Sequence, residues 1–157
     1  MSIRRAFGVV LLALAVGLPR TASAQSSCVQ PAEACAFFTT FLTALNKRDW
    51  PAYRATLDDS ISIFLEDPAP AQRFDGRPAA ESLFIQIFPP AGTPASSLPA
   101  PIIPVHFRVQ SFGDVAIFTF EIVRPQSLAR RTLMARRGVN GWHMVHIHGS
   151  ARSLPGA

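Results

Sequence analysis

From Ala34 to Leu45 the apolar residues Phe37, Phe38, Phe41, Leu42 and Leu45 recur at helical spacing. One apolar stripe on a polar segment predicts a helix that ends near Asn46-Lys47-Arg48. Asp49 is placed to cap a second, shorter helix with Pro51 in its tolerant first turn and Trp50, Tyr53 and Leu57 on one side. Asp58-Asp59 breaks that helix, and Ser60 to Glu66 alternates as a strand ended by Asp67-Pro68-Ala69-Pro70. The stretch RFDGRP at 73–78 puts Gly76 in a turn and Pro78 at the start of a third helix running to Phe88. Six prolines between Pro89 and Pro104 exclude a core element and predict a stiff surface loop. The last third reads as strands alone: VHFRVQSF, a Gly113-Asp114 turn, VAIFTFEIV, RRTLMARR, a turn over Gly138 to Gly141, then WHMVHIHGS. Helices first and a long meander afterwards predict an α+β domain, three N-terminal helices on one face of a curved antiparallel sheet.

The start of the chain changes the size and charge of what folds. Arg4 and Arg5 precede the apolar run Val9–Leu18, and Ala22-Ser23-Ala24 suits a cleavage site, so residues 1–24 read as an export signal. The apolar run is too short to span a bilayer, and no later stretch offers a membrane anchor. Arg4-Arg5-Ala6-Phe7 also fits a twin-arginine export motif, against the plainer fact that every export signal begins with basic residues. Cleavage after Ala24 leaves 133 of 157 residues: an arm over 25–33, a domain over 34–150 and a tail over 151–157. It also removes three arginines and no acid, which lowers the formal charge from +5 to +2. So small a charge is no footprint for nucleic acid. The expected location is periplasmic or secreted. There a disulfide between Cys28 and Cys35 is expected to pin the arm to the first helix, with reduced, packed thiols as the alternative.

The order of elements and the ending Trp142-x-x-Val145-His146-x-His148-x-Ser150 resemble the SnoaL-like branch of the nuclear transport factor 2-like superfamily over 34–150. The Asp49-Trp50 short helix and the Phe74-x-Gly76-Arg77 turn fall in the same family order. The ending is also similar to that of the association domain of calcium/calmodulin-dependent protein kinase II. That domain has an anion-binding arginine directly after the second histidine, where this chain has Gly149. The resemblance implies a cone-shaped domain, a cavity between helices and sheet, and a homodimer packed through the other sheet face. Activity does not follow, because isomerases, cyclases, dehydratases, assembly domains and inert binding modules share this fold.

Three readings of the closing histidines are open. On a regular strand Trp142, Met144, His146, His148 and Ser150 share one face, while His143, Val145, Ile147 and Gly149 share the other. The Val-Ile face is expected beneath the helices, which leaves Trp142, Met144, His146 and His148 as interface candidates. A His-x-His pair can alternatively hold zinc or copper, with His106 as a distant third donor, although no metal or other cofactor is expected on the pattern alone. Acid-base chemistry is the third reading, with Tyr53, Asp58, His106, Glu121 and His143 as candidates for a cavity. An apolar pocket would move such a base towards neutrality. Phe38, Tyr53, Phe84, Phe118, Phe120, Val145 and Ile147 are the candidate walls for a small organic ligand. The expectation is therefore an exported homodimer with an apolar ligand cavity, against an isomerase, cyclase or dehydratase, or a structural assembly domain.

Overall fold

A computed structural model describes residues 31–65, 72–90, 93–94 and 99–154 of the chain. The expected signal, the arm up to residue 30 and Cys28 lie outside these residues. Helix α1 spans Ala32–Lys47 and starts just after Pro31, whose extended backbone is its N-cap. It stops where Arg48 takes a left-handed conformation, φ 58°, with cap N–H groups bonded to the carbonyls of Ala44 and Leu45. Helix α2, Trp50–Ala55, is capped by Asp49, which accepts from the Ala52 N–H at 3.0 Å. Strand β1, Leu57–Leu65, begins three residues earlier than its alternation suggests. After it come strand β2, Gln72–Asp75, and helix α3, Arg77–Ile87. Strands β3 (Val105–Phe112), β4 (Val115–Val123), β5 (Ser127–Gly138) and β6 (Gly141–Ser153) complete the elements of the described residues. β6 thus runs three residues past Ser150, where the tail is expected to begin.

The six strands form one sheet in the order β2-β1-β6-β5-β4-β3. β3 to β6 are the expected antiparallel meander, but β1 pairs with β6 in parallel, so the sheet is mixed. A hairpin forces neighbouring strands to reverse. The path from β1 to β6 instead passes through a helix and four other strands, and no such constraint acts on it. β2 replaces part of the expected RFDGRP turn, with Phe74 opposite Ile63. The proline-rich segment is tied to α1, since Asn46 donates to the Ile102 carbonyl at 2.9 Å and accepts from its N–H at 2.8 Å.

The core lies between the helices and one sheet face. β4 alternates strictly, burying Ala116, Phe118, Phe120 and Ile122 and turning Ile117, Thr119 and Glu121 to the outer face. β6 breaks that rule. Its pairing with β5 shifts between Met134–His146 and Ala135–Met144, so Val145 is an extra, bulged residue. Met144 and Ile147 are both buried in the core although they differ by three positions. Trp142 also packs against the core. The expected grouping of Trp142 and Met144 with His146 and His148 is therefore corrected: the bulge puts the first two under the helices and the last two on the outer face.

Candidate functional site

The expected pocket walls meet one another. The Phe38 ring lies 4.6 Å from Phe107, 5.1 Å from Phe118 and 5.6 Å from Phe120 between centroids. These spacings are those of packed aromatic pairs. Tyr53, 1 % exposed, is ringed by Phe41, Trp50, Phe84 and Phe88. Burial pushes its hydroxyl far above the ordinary tyrosine range, so it stays protonated. Ile147 belongs to this core, whereas Val145 is displaced by the bulge. Several of the expected wall residues thus pack ring against ring within the core.

The polar candidates fall into two groups instead of converging inside a cavity. Asp58 and His143 border a hollow of about 250 Å³ together with Asp59, Arg77 and the β5–β6 turn. Asp58 Oδ1 accepts from the Ser60 hydroxyl at 2.7 Å and its N–H at 2.9 Å, and Arg136 lies 3.5 Å from Oδ2. The Ser60 hydrogen bonds, helped by Arg136, hold this carboxyl below the usual aspartate range.

His106 and Glu121 form the second group, on the outer face of the sheet and not beneath the helices. They border a hollow of about 330 Å³ with Thr119, Arg130 and Thr132. His106 Nδ1 donates to Glu121 Oε2 at 2.7 Å, and Arg130 Nε donates to Oε1 at 3.3 Å. First the His106 hydrogen bond and then Arg130 lower the Glu121 carboxyl. His106 itself has φ 52°, at the irregularity where β3 slips against β4. That backbone is uncommon for a residue with a side chain. Both candidate carboxylates are therefore moved down, the reverse of the shift towards neutrality that a general base in an apolar cavity needs.

The closing histidines lie on the same outer face. His146 pairs with Ser62 on β1 and Met134 on β5, while His148 pairs with Phe64 and Thr132. Ser62 Oγ and His146 Nδ1 share a hydrogen bond of 2.8 Å. The two imidazole centroids are 6.5 Å apart, and the Phe64 ring is 6.4 and 6.2 Å from them. Partial burial first, then His148 and Arg73, keep His146 below the usual histidine range. Ser62 was not among the candidate residues; only the parallel β1–β6 pairing brings it to His146, and that pairing leaves no local sequence signal. Among the described residues no group of three or more His, Cys, Asp or Glu side chains is arranged to hold a metal. Cys35 is buried and disulfide-bonded, and Cys28, its expected partner, lies outside the described residues.

Three helices on a six-stranded, mostly antiparallel mixed sheet define a nuclear transport factor 2-like α+β fold. The chain matches the SnoaL-like domain family over residues 35–153 and belongs to it. Comparison with curated proteins gave no match. Among solved structures the chain is similar to a nuclear transport factor 2-like protein of unknown function from Pseudomonas putida. That match has 21% identity and a TM-score of 0.61, covering 75% of this chain and 83% of the other. It is also similar to the calcium/calmodulin-dependent kinase II hub homology domain of Chlamydomonas reinhardtii, with 20% identity, a TM-score of 0.55 and coverage of 76% and 95%. A proposed dehydratase of the same fold from Streptomyces avermitilis matches at 16% identity and a TM-score of 0.58, covering 75% and 93%. At these identities the likeness carries the fold and not an activity.

Proposed function

We propose that this SnoaL-like domain is a non-catalytic self-association module that pairs with a second copy through its outer sheet face. The observation behind this reading is the composition of that face. All three described helices pack on the other side, and Ile117, Met134, Thr119, Thr132, Phe64 and His146 form a mixed apolar and polar surface across β1 and β4–β6. Phe64, at 38 %, and Phe112, at 60 %, are exposed aromatics on its two flanks. An apolar centre with a polar, aromatic rim is the anatomy of a protein interface. Ring packing in the interior and the lowered carboxylates both speak against a ligand cavity or an acid-base enzyme. The hub homology domain named above offers an assembly role by analogy alone.

Sedimentation velocity of the mature chain and of Ile117→Arg tests the reading. The wild type is expected to sediment as a dimer and the variant as a monomer with unchanged far-ultraviolet circular dichroism. A monomeric wild type, or a variant that still dimerises, would contradict it. The second reading, an isomerase or dehydratase step in the Asp58–His143 hollow, is favoured by that hollow's mixed charge and its open space. It predicts that a carbonyl-bearing ligand perturbs the His143 ring resonances in an NMR titration. An unperturbed His143 across a ligand panel would rule it out.

A further inference from the structure

We propose that His146, His148 and Met134 form a copper(I) site on the outer face of the sheet. The sequence pattern shows only two of these donors, because Met134 lies on another strand and reaches the pair through register. Met134 is directly opposite His146, and His148 is two residues along the same strand and the same face. Directly opposed side chains start about 5 Å apart, and same-face neighbours on one strand about 7 Å apart. Two imidazole arms and one flexible thioether arm can converge on one ion from such positions. The bulge at Val145 decides the geometry, since it sets His146, and not Val145, opposite Met134.

The donor set and its surroundings select the ion. The thioether is a soft donor that favours copper(I), and the two imidazoles are borderline donors that suit it as well, whereas zinc prefers a fourth ligand of nitrogen, sulfur or carboxylate type. In the tautomer that donates Nδ1–H of His146 to Ser62 Oγ, Nε2 keeps its lone pair for the ion, and such a donated hydrogen bond is the outer-shell support usual for a metal-bound histidine. Phe64 stands beside both imidazoles. The Arg73 guanidinium sits over the Phe64 ring, 5.4 Å from its centroid, and opposes cation binding. That repulsion is half as large for a monovalent ion as for zinc or copper(II) at the same distance.

The test is native mass spectrometry with copper(I) supplied under ascorbate, paired with a competition titration against a coloured copper(I) chelator. The expected result is one copper per chain, with affinity weakened more than about tenfold in His148→Asn and in Met134→Leu. Ser62→Ala is expected to weaken it less, while circular dichroism and the melting temperature of all three variants stay near wild type. Met134 and His146 also line the proposed dimer face, so the titration is run on the wild type and on Ile117→Arg. Failure of both proteins to retain copper, equal affinity in Met134→Leu, or preference for zinc over copper(I) would each overturn the proposal. The same spectra report subunit number, and a wild-type monomer that carries copper refutes only the dimer.

Discussion

Asp58 shows how far a single side chain can be read in this protein. Its carboxyl accepts two hydrogen bonds from Ser60 and faces Arg136, so its folded-state pKa is lowered. A depressed carboxyl stabilises the fold above its unfolded pKa, about 3.9, and loses that contribution as the pH falls through the folded value. Asp58→Asn is therefore expected to be less stable than wild type at neutral pH, with the gap closing below about pH 4. Chemical denaturation at a series of pH values measures this, and a gap that stays constant with pH would contradict the assignment. Asp49 was legible from its position before Trp50-Pro51, and it does cap α2 through Ala52. Replacing it with alanine is expected to cost about 1 kcal/mol in the same assay. Tyr53 and Glu121 were legible as residues but not by environment, because their surroundings come from strands and helices distant in the chain.

Strand β6 carries the clearest lesson at the scale of elements. Its existence and its end turns follow from alternation and glycine placement, as do α1, α2 and β3 to β5. The direction in which its side chains point does not. Regular alternation buries Val145 and exposes Met144, but the bulge reverses this and leaves Met144 fully buried. A bulge here is fixed by pairing with both β5 and β1, information that no window of β6 contains. Met144→Ala is accordingly expected to cost about 2–5 kcal/mol, the range for deleting a buried methionine side chain, while Val145→Ala costs clearly less. Equilibrium unfolding of the two variants decides the matter, and the opposite order would restore the regular strand. β2 escaped notice for a simpler reason: four residues with one apolar side chain give no periodicity, and only the neighbouring β1 makes them a strand.

For the molecule as a whole, the fold leaves one sheet face covered by helices and the other bearing Ile117, Met134, Phe64 and the closing histidines. Helix-then-meander order was enough to foresee the layers, and the Trp142-to-Ser150 ending was enough to suggest the family. The parallel β1–β6 junction and the ring packing around Phe38 and Tyr53 were not, since both depend on contacts made between distant parts of the chain. Self-association is expected to bury on the order of 800 Å² per protomer, the standard size for a specific interface. Met134 and Met144 give this claim a natural pair of reporters, one on each side of the sheet. The decisive measurement is the relaxation of their ¹³C-labelled methyl resonances by a soluble paramagnetic agent, in wild type and in Ile117→Arg. The account predicts that Met134 is shielded in the wild type and becomes accessible in the variant, while Met144 stays shielded in both. Equal accessibility of Met134 in the two proteins would contradict pairing through this face.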